Sequence, residues 1–210
     1  MSSAPTANLQ LAARRVLEFE SINSELQERL NSAQQRVDCC LTTFAHEYSG
    51  RAELRRDLSN LEWALHGYGN MLHQLQNVCD RTIDEFGVTL SHSSPIQHET
   101  PELLGIRHAI HHRGLMGLNI TPGNGESGAK VLMPLDSIRV HGSWGDGNPS
   151  FETHFHRILD HNGKAVLIRP LLSESREKYE NVIEEMVLAL ESEFGRKKLS
   201  EELASGGLYD

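Results

Sequence analysis

No apolar run in this chain approaches the roughly 18 residues that a membrane-spanning helix needs, so no membrane segment is expected. Cysteine is scarce. Cys39, Cys40 and Cys79 sit inside helical patterns and form no CxxC pair, which predicts reduced thiols in a cytoplasmic protein. Positive charge is in deficit: 20 Lys and Arg stand against 29 Asp and Glu, for a net charge of −9. That balance argues against broad, non-specific coating of nucleic acid, and leaves room for a small local basic cleft. The N-terminal Met-Ser-Ser-Ala-Pro-Thr-Ala-Asn has no basic region followed by an apolar core, so no signal peptide is expected. The glycine-rich segment Asn119–Lys130 lacks the GxxxxGK[ST] pattern of a phosphate-binding loop and reads as a flexible surface loop. No repeat of fixed period stands out, and no cofactor is expected. What remains is a 210-residue chain, 38% hydrophobic and 23% charged, long enough to bury one sizeable core.

Against this acidic background one stretch is basic. From Arg107 to Arg113, five of seven residues are Arg or His, in the run Gly-Ile-Arg-His-Ala-Ile-His-His-Arg-Gly that spans Gly105–Gly114. Thr100-Pro101-Glu102 upstream reads as a helix start: a hydroxyl N-cap, proline at the first helical position and an acid facing the helix dipole. Gly114 reads as the stop. The implied helix has about three to four turns. On it His108 and His112 share one face, and Arg107 and His111 share the next. Arg107 and His112 lie about 140° apart around the axis, yet the long arginine lets both reach one groove. Leu103, Leu104, Ile106 and Ile110 form a thin apolar side, with Ile106 and Ile110 packed inward and the basic groups at the rim of a cleft.

Two long helices precede it. Phe19, Ile22, Leu26, Leu30, Ala33, Val37, Leu41, Phe44 and Tyr48 recur at steps of three or four. Ser49-Gly50 breaks the pattern. It resumes through Leu54, Leu58, Leu61, Leu65, Tyr68, Leu72, Leu75, Cys79 and Ile83, ending near Phe86-Gly87. The short break predicts an antiparallel hairpin, with a plain two-helix coiled coil as the alternative. Gly67 and Gly69 lie inside the second helix beside His66 and His73, where each glycine costs about 1 kcal/mol. They mark close packing, a kink, or room for a ligand near His66. Residues 88–99 read as a polar connection.

Beyond the basic helix, Lys130–Val140 suits a strand or a helical turn. Phe151–Leu159 alternates, Lys164–Arg169 is β-branched, and Asp160-His161-Asn162-Gly163 between them is a hairpin signal. His154 and His156 share a strand face, so a zinc site completed by His141 or Asp160 competes with plain solvent-facing histidines. Pro170 ends the ribbon, and Ser173 or Ser175 caps a last helix with the buried stripe Tyr179, Ile183, Met186, Val187, Leu190 and Phe194, ending at Gly195. The expected fold is mainly α: a bundle of four to five helices, two of them long, N-terminal and antiparallel, with a small β-hairpin insertion. One domain over 9–200 carries the insertion at about 130–170, and 1–8 and 201–210 are flexible tails.

The run Arg107-His108-Ala109-Ile110-His111-His112 resembles the Arg-polar-x-x-x-His signature of HEPN domains, the higher eukaryote and prokaryote nucleotide-binding superfamily. Arg113-Gly114-Leu115 extends it toward the His-Arg-Gly-Leu run of some members. The motif covers 107–115, and the helix layout covers roughly 10–200. The polar residue after the arginine is often asparagine in the family and is His108 here; the β insertion is not a general family feature. The resemblance implies a helical bundle and a metal-independent endoribonuclease whose motifs pair across a homodimer to cut RNA. It assigns Arg107 as phosphate clamp, His112 as general base or acid and His108 as the group that orients His112 or the phosphate, with His111 and Arg113 as RNA contacts. Histidine titrates near neutrality, and arginine grips phosphate oxygens through two donors, so the chemistry agrees. Three other readings stand beside it. The basic residues can serve the helix dipole alone. His108 and His112 can chelate zinc. A HEPN-like fold can act without catalysis, as an interaction module or in a toxin–antitoxin pair with an antitoxin or nucleotidyltransferase partner.

Overall fold

A computed structural model describes residues 4–45, 51–92, 95–113, 117–122, 128–136, 159 and 164–205; for 4–7, 109, 112 and 113 it describes the backbone alone. The two apolar stripes build helices α1, Ala4–Ala45, and α2, Arg51–Phe86. Their pairing is antiparallel. Arg15 near the start of α1 meets Glu85 at the end of α2, with Nη2–Oε1 at 2.8 Å, and the Thr43 hydroxyl donates to Asp57 Oδ2 at 2.7 Å at the opposite end. Between these ends, Phe19, Leu26, Leu30 and Val37 of α1 and Leu61, Leu65, Leu72 and Leu75 of α2 are buried. Helix formation thus begins at Ala4, inside the segment 1–8 read as a flexible tail.

The segment read as a polar connection contains a short helix, α3, Pro95–Glu99. It forms because Ile96 is fully buried, an anchor that a single apolar residue does not announce. The basic helix follows as α4, Pro101–Arg113. Thr100 occupies the expected cap position, but its hydroxyl donates backward to the Ile96 carbonyl at 3.0 Å. It therefore closes α3. Glu102 in the first turn of α4 is buried and lies 3.9 Å from Lys178 Nζ.

Three short strands come next: β1, Asn119–Thr121; β2, Lys130–Pro134; and β3, Ala165–Leu167. They form one antiparallel sheet in the order β1-β2-β3, with Ile120 opposite Val131 and Met133 opposite Val166. The β element therefore begins at Asn119, inside the stretch read as a loop. Three residues are too few for alternation to register in sequence. Among the described residues, the expected hairpin shows one bridge, Leu159 opposite Val166; the Asn162-Gly163 turn and His141, His154, His156 and Asp160 lie outside the described residues.

The chain passes from β3 directly into α5, Ile168–Phe194. Pro170 does not end the ribbon. It sits in the first helical turn, where no intrahelical donor is needed. Leu167 is the N-cap and makes no side-chain cap bond. Ser173 and Ser175 are one and two turns inside, bonding back to the carbonyls of Arg169 and Leu172. Ser175 is also the acceptor for the buried Tyr68 hydroxyl at 2.9 Å, because its own proton is spent on Leu172. This pair, with Tyr179 edge-on to Tyr68 at 6.5 Å, fastens α5 to the middle of α2. Gly195, at φ 84, ends α5 as expected. The segment after it forms α6, Arg196–Ser205, which buries Leu199, so residues 201–205 of the expected tail are helical. The described residues thus give six helices, two of them long, and a small antiparallel sheet. Burial pushes the Cys40 and Cys79 thiols up to about 12, far from the thiolate form.

Candidate functional site

Helix α4 docks through the residues its thin apolar side supplies: Leu103, Ile106 and Ile110 are all buried. Their spacing of three and four places them on one stripe. Arg107 and His108 lie beside that stripe and are half-buried, and His111 is exposed.

The docking distance is set by Gly69 of α2. A Cβ built there would stand 2.5 Å from Arg107 Cβ, 3.0 Å from its Cγ and 3.4 Å from the Leu103 carbonyl oxygen. Only a residue without a side chain lets the α4 backbone come this close. Close packing is thus the outcome for Gly69. Gly67 differs, since a Cβ there would meet only Arg29 Nη1, at an ordinary 3.7 Å.

With its stem against Gly69, Arg107 donates from Nε to Asn70 Oδ1 at 2.8 Å. Asn70 Nδ2 in turn lies 3.4 Å from Nδ1 of His66. The His66 ring is stacked on His111 of α4, with centroids 6.1 Å apart and planes 7° from parallel. Trp63, 59% exposed, stands edge-on to His66 at 5.8 Å. On the other side of Arg107 a cavity of about 300 Å³ opens, lined by His73, Gln76, Asp80, Gln97, Arg107 and His108. Gln76 fixes its floor: the carbonyl accepts the Gln97 backbone N–H at 3.0 Å, and the amide donates to Asp80. Trp63's neighbour Glu62, 2% exposed, accepts the Leu118 N–H at 2.9 Å and ties the approach to β1 onto α2.

Burial lowers the pKa of His66, and the neighbouring His111 and Arg107 lower it further. Burial likewise lowers His73, with Arg107 adding to the shift and Asp80 opposing it. Both imidazoles are therefore held toward the neutral form that accepts a proton.

Of the five residues singled out on the basic helix, the structure brings Arg107, His108 and His111 to the α2 seam. His112 and Arg113 occupy the last turn of α4; their side chains lie outside the described residues, and with them the His108–His112 zinc pairing. Among the described residues, His108 and His111 join no group of three metal-ligating side chains. Sequence reasoning located His66, His73 and the glycines but missed Asn70, Gln76 and Trp63. The signal was present: residues 66, 70 and 73 are four and then three apart, one stripe of a helix. The chain matches no protein-family model, no curated protein and no solved structure.

The two glycines should respond oppositely to alanine. Gly67→Ala should raise unfolding stability by about 0.5–1 kcal/mol through helix propensity. Gly69→Ala should lower it by about 1–3 kcal/mol through overpacking. Urea unfolding of both variants measures this, and equal effects would mean that α4 does not rest on Gly69.

The two histidines predict a pH dependence. Their folded values lie below the unfolded one of about 6.5, so the folded state binds fewer protons. Their stabilising contribution is present above that value and is lost as pH falls through the folded values. The thermal midpoint should therefore drop between about pH 7.5 and about pH 5. In a His66→Gln, His73→Gln double variant the drop should be shallower; an unchanged slope would show that these groups do not carry it.

Proposed function

We propose that this protein is a metal-independent endoribonuclease of the HEPN type, acting as a homodimer in which two α4 helices face one another across a composite cleft. The observation that carries the reading is the placement of Arg107. It lies at the centre of the α2–α4 seam, held through Nε by Asn70, between a polar cavity containing His73 and His108 and the stacked His66 and His111. Among the described residues neither terminal nitrogen of Arg107 makes a hydrogen bond, so the guanidinium is positioned through one atom and offers two more to a phosphate. The family's frequent asparagine after the arginine is absent, and Asn70 of α2 supplies an amide to the same guanidinium.

The reaction is attack of a ribose 2′-hydroxyl on the adjacent phosphorus, with departure of the 5′-oxygen of the next nucleotide. One group takes the 2′-proton, one returns a proton to the leaving oxygen, and a cation steadies the charge on the phosphate. In this reading Arg107 is the clamp and His112 the general base or acid. His108 orients His112 or the phosphate, and His111 and Arg113 contact the RNA strand. Burial beside Arg107 favours neutral imidazoles at the seam, which suits proton acceptance near neutral pH.

The test is cleavage of a labelled mixed RNA pool in excess chelator. Wild-type protein should cut. Arg107→Ala and His112→Ala should each lose at least about 100-fold in rate while keeping the wild-type circular dichroism spectrum. Asn70→Ala, which frees the guanidinium without removing it, should fall between. A dimeric wild-type protein inert at high concentration would point instead to a non-catalytic interaction module or a toxin–antitoxin partner. Cutting that survives both substitutions would place the activity elsewhere.

A further inference from the structure

A second cluster of imidazoles lies in the connection between α2 and α4, apart from the Arg107 cavity. Just before His92, the backbone N–H and the hydroxyl of Ser91 both donate to Glu185 Oε1 of α5 at 2.6 Å. This double bond to one carboxylate fixes where His92 emerges. Its ring stacks on that of His98, at the end of α3, with centroids 3.4 Å apart and planes 14° from parallel. His98 Nδ1 is 3.1 Å from Glu99 Oε1. One ligand atom from each of His92, His98 and Glu99 falls within 4.8 Å of the others.

Beside the Glu99 carboxylate the two imidazoles form a two-nitrogen, one-oxygen donor set, the kind that zinc takes in sites with three protein ligands. Zinc binds imidazole nitrogen and carboxylate oxygen at about 2.0–2.2 Å. Ligand atoms around one such ion are therefore roughly 3–3.5 Å apart, and to reach this the two rings turn out of their stack and aim their in-plane lone pairs at one point. Magnesium and calcium prefer oxygen-only shells and are poorly served here.

We propose that His92, His98 and Glu99 bind one zinc ion, with water as the fourth ligand. The ion ties the end of the α2–α3 connection to the last turn of α3. Glu99 immediately precedes Thr100 and Pro101, where α4 begins, so the same ion braces the start of the helix that carries Arg107. None of the three ligands lines the Arg107 cavity. The role is structural, and RNA cleavage does not pass through the metal.

The full-length protein is stripped with chelator, dialysed, and titrated with zinc against a chromophoric indicator; a parallel cobalt titration reads the visible spectrum of the bound ion. Wild-type protein should take up one zinc per chain at micromolar or tighter affinity, and its thermal midpoint should rise with zinc. His92→Ala and His98→Ala, tested separately with folding checked by circular dichroism, should each weaken binding at least tenfold and abolish the cobalt spectrum. The chain has 12 histidines, so His108→Ala and His154→Ala serve as controls and should bind as wild type does. Wild-type protein without a tight site would overturn the proposal. So would unchanged binding in the His92→Ala and His98→Ala variants, or loss of binding in the controls instead. These readouts do not depend on ribonuclease activity, so either proposal can fail alone.

Discussion

The contact between Gly69 and Arg107 governs the geometry of the candidate site. Two helices ordinarily keep 8–10 Å between axes because side chains fill the space. Here one side chain is missing at the crossing, and the Arg107 stem occupies the place its Cβ would need. A long charged residue that would otherwise swing in solvent is thereby fixed at the root. Its Nε then finds Asn70, one residue beyond the glycine. The other features of the seam follow from this approach. His66 and His111 lie parallel, 6.1 Å apart, because α2 and α4 come close enough to bring a ring from each together, and His73 and His108 border one cavity for the same reason.

The rest of the bundle holds that crossing in place. α4 has only a narrow apolar stripe of its own, in which Leu103, Ile106 and Ile110 supply most of the burial. Such a short helix depends on its neighbours for stability. α3 meets it through Thr100, Gln76 holds α3 to α2, and Glu102 faces Lys178 of α5. α5 is fastened to α2 by the Tyr68–Ser175 pair. An acidic protein thus gathers a guanidinium and several imidazoles on one seam. Burial, with the arginine adding to it, keeps the neighbouring His66 and His73 toward neutrality.

The long helices were legible because their stripes run for many turns, and a pattern repeated that often outweighs local exceptions. Gly195 was legible as a stop because a positive φ there suits glycine alone. The basic helix was legible through Pro101 at its first position. Pro170 misled because the same residue that breaks a helix interior is welcome in a first turn. β2 and β3 fall in the stretches Lys130–Val140 and Lys164–Arg169 that already read as strand-prone; β1 escaped because three residues carry little periodicity, and α3 because it rests on one buried isoleucine. At the site, the α4 half was visible as a local density of Arg and His. The α2 half was not, since Asn70 and Gln76 are ordinary helix-surface residues until the partner helix is placed against them. Gly69 hinted at that partner without naming it.

Asn70 pins the Arg107 guanidinium through Nε, and the proposed function has it presented to a phosphodiester. Arginine side-chain NMR tests it most directly, through the exchange rate and shift of the Arg107 Nε–H during titration with a short RNA. The account predicts a proton protected from exchange in wild-type protein, unprotected in Asn70→Ala, and shifted by RNA before any other arginine. An Nε–H that exchanges freely in wild-type protein, or that stays unmoved while other arginines respond to RNA, would contradict it.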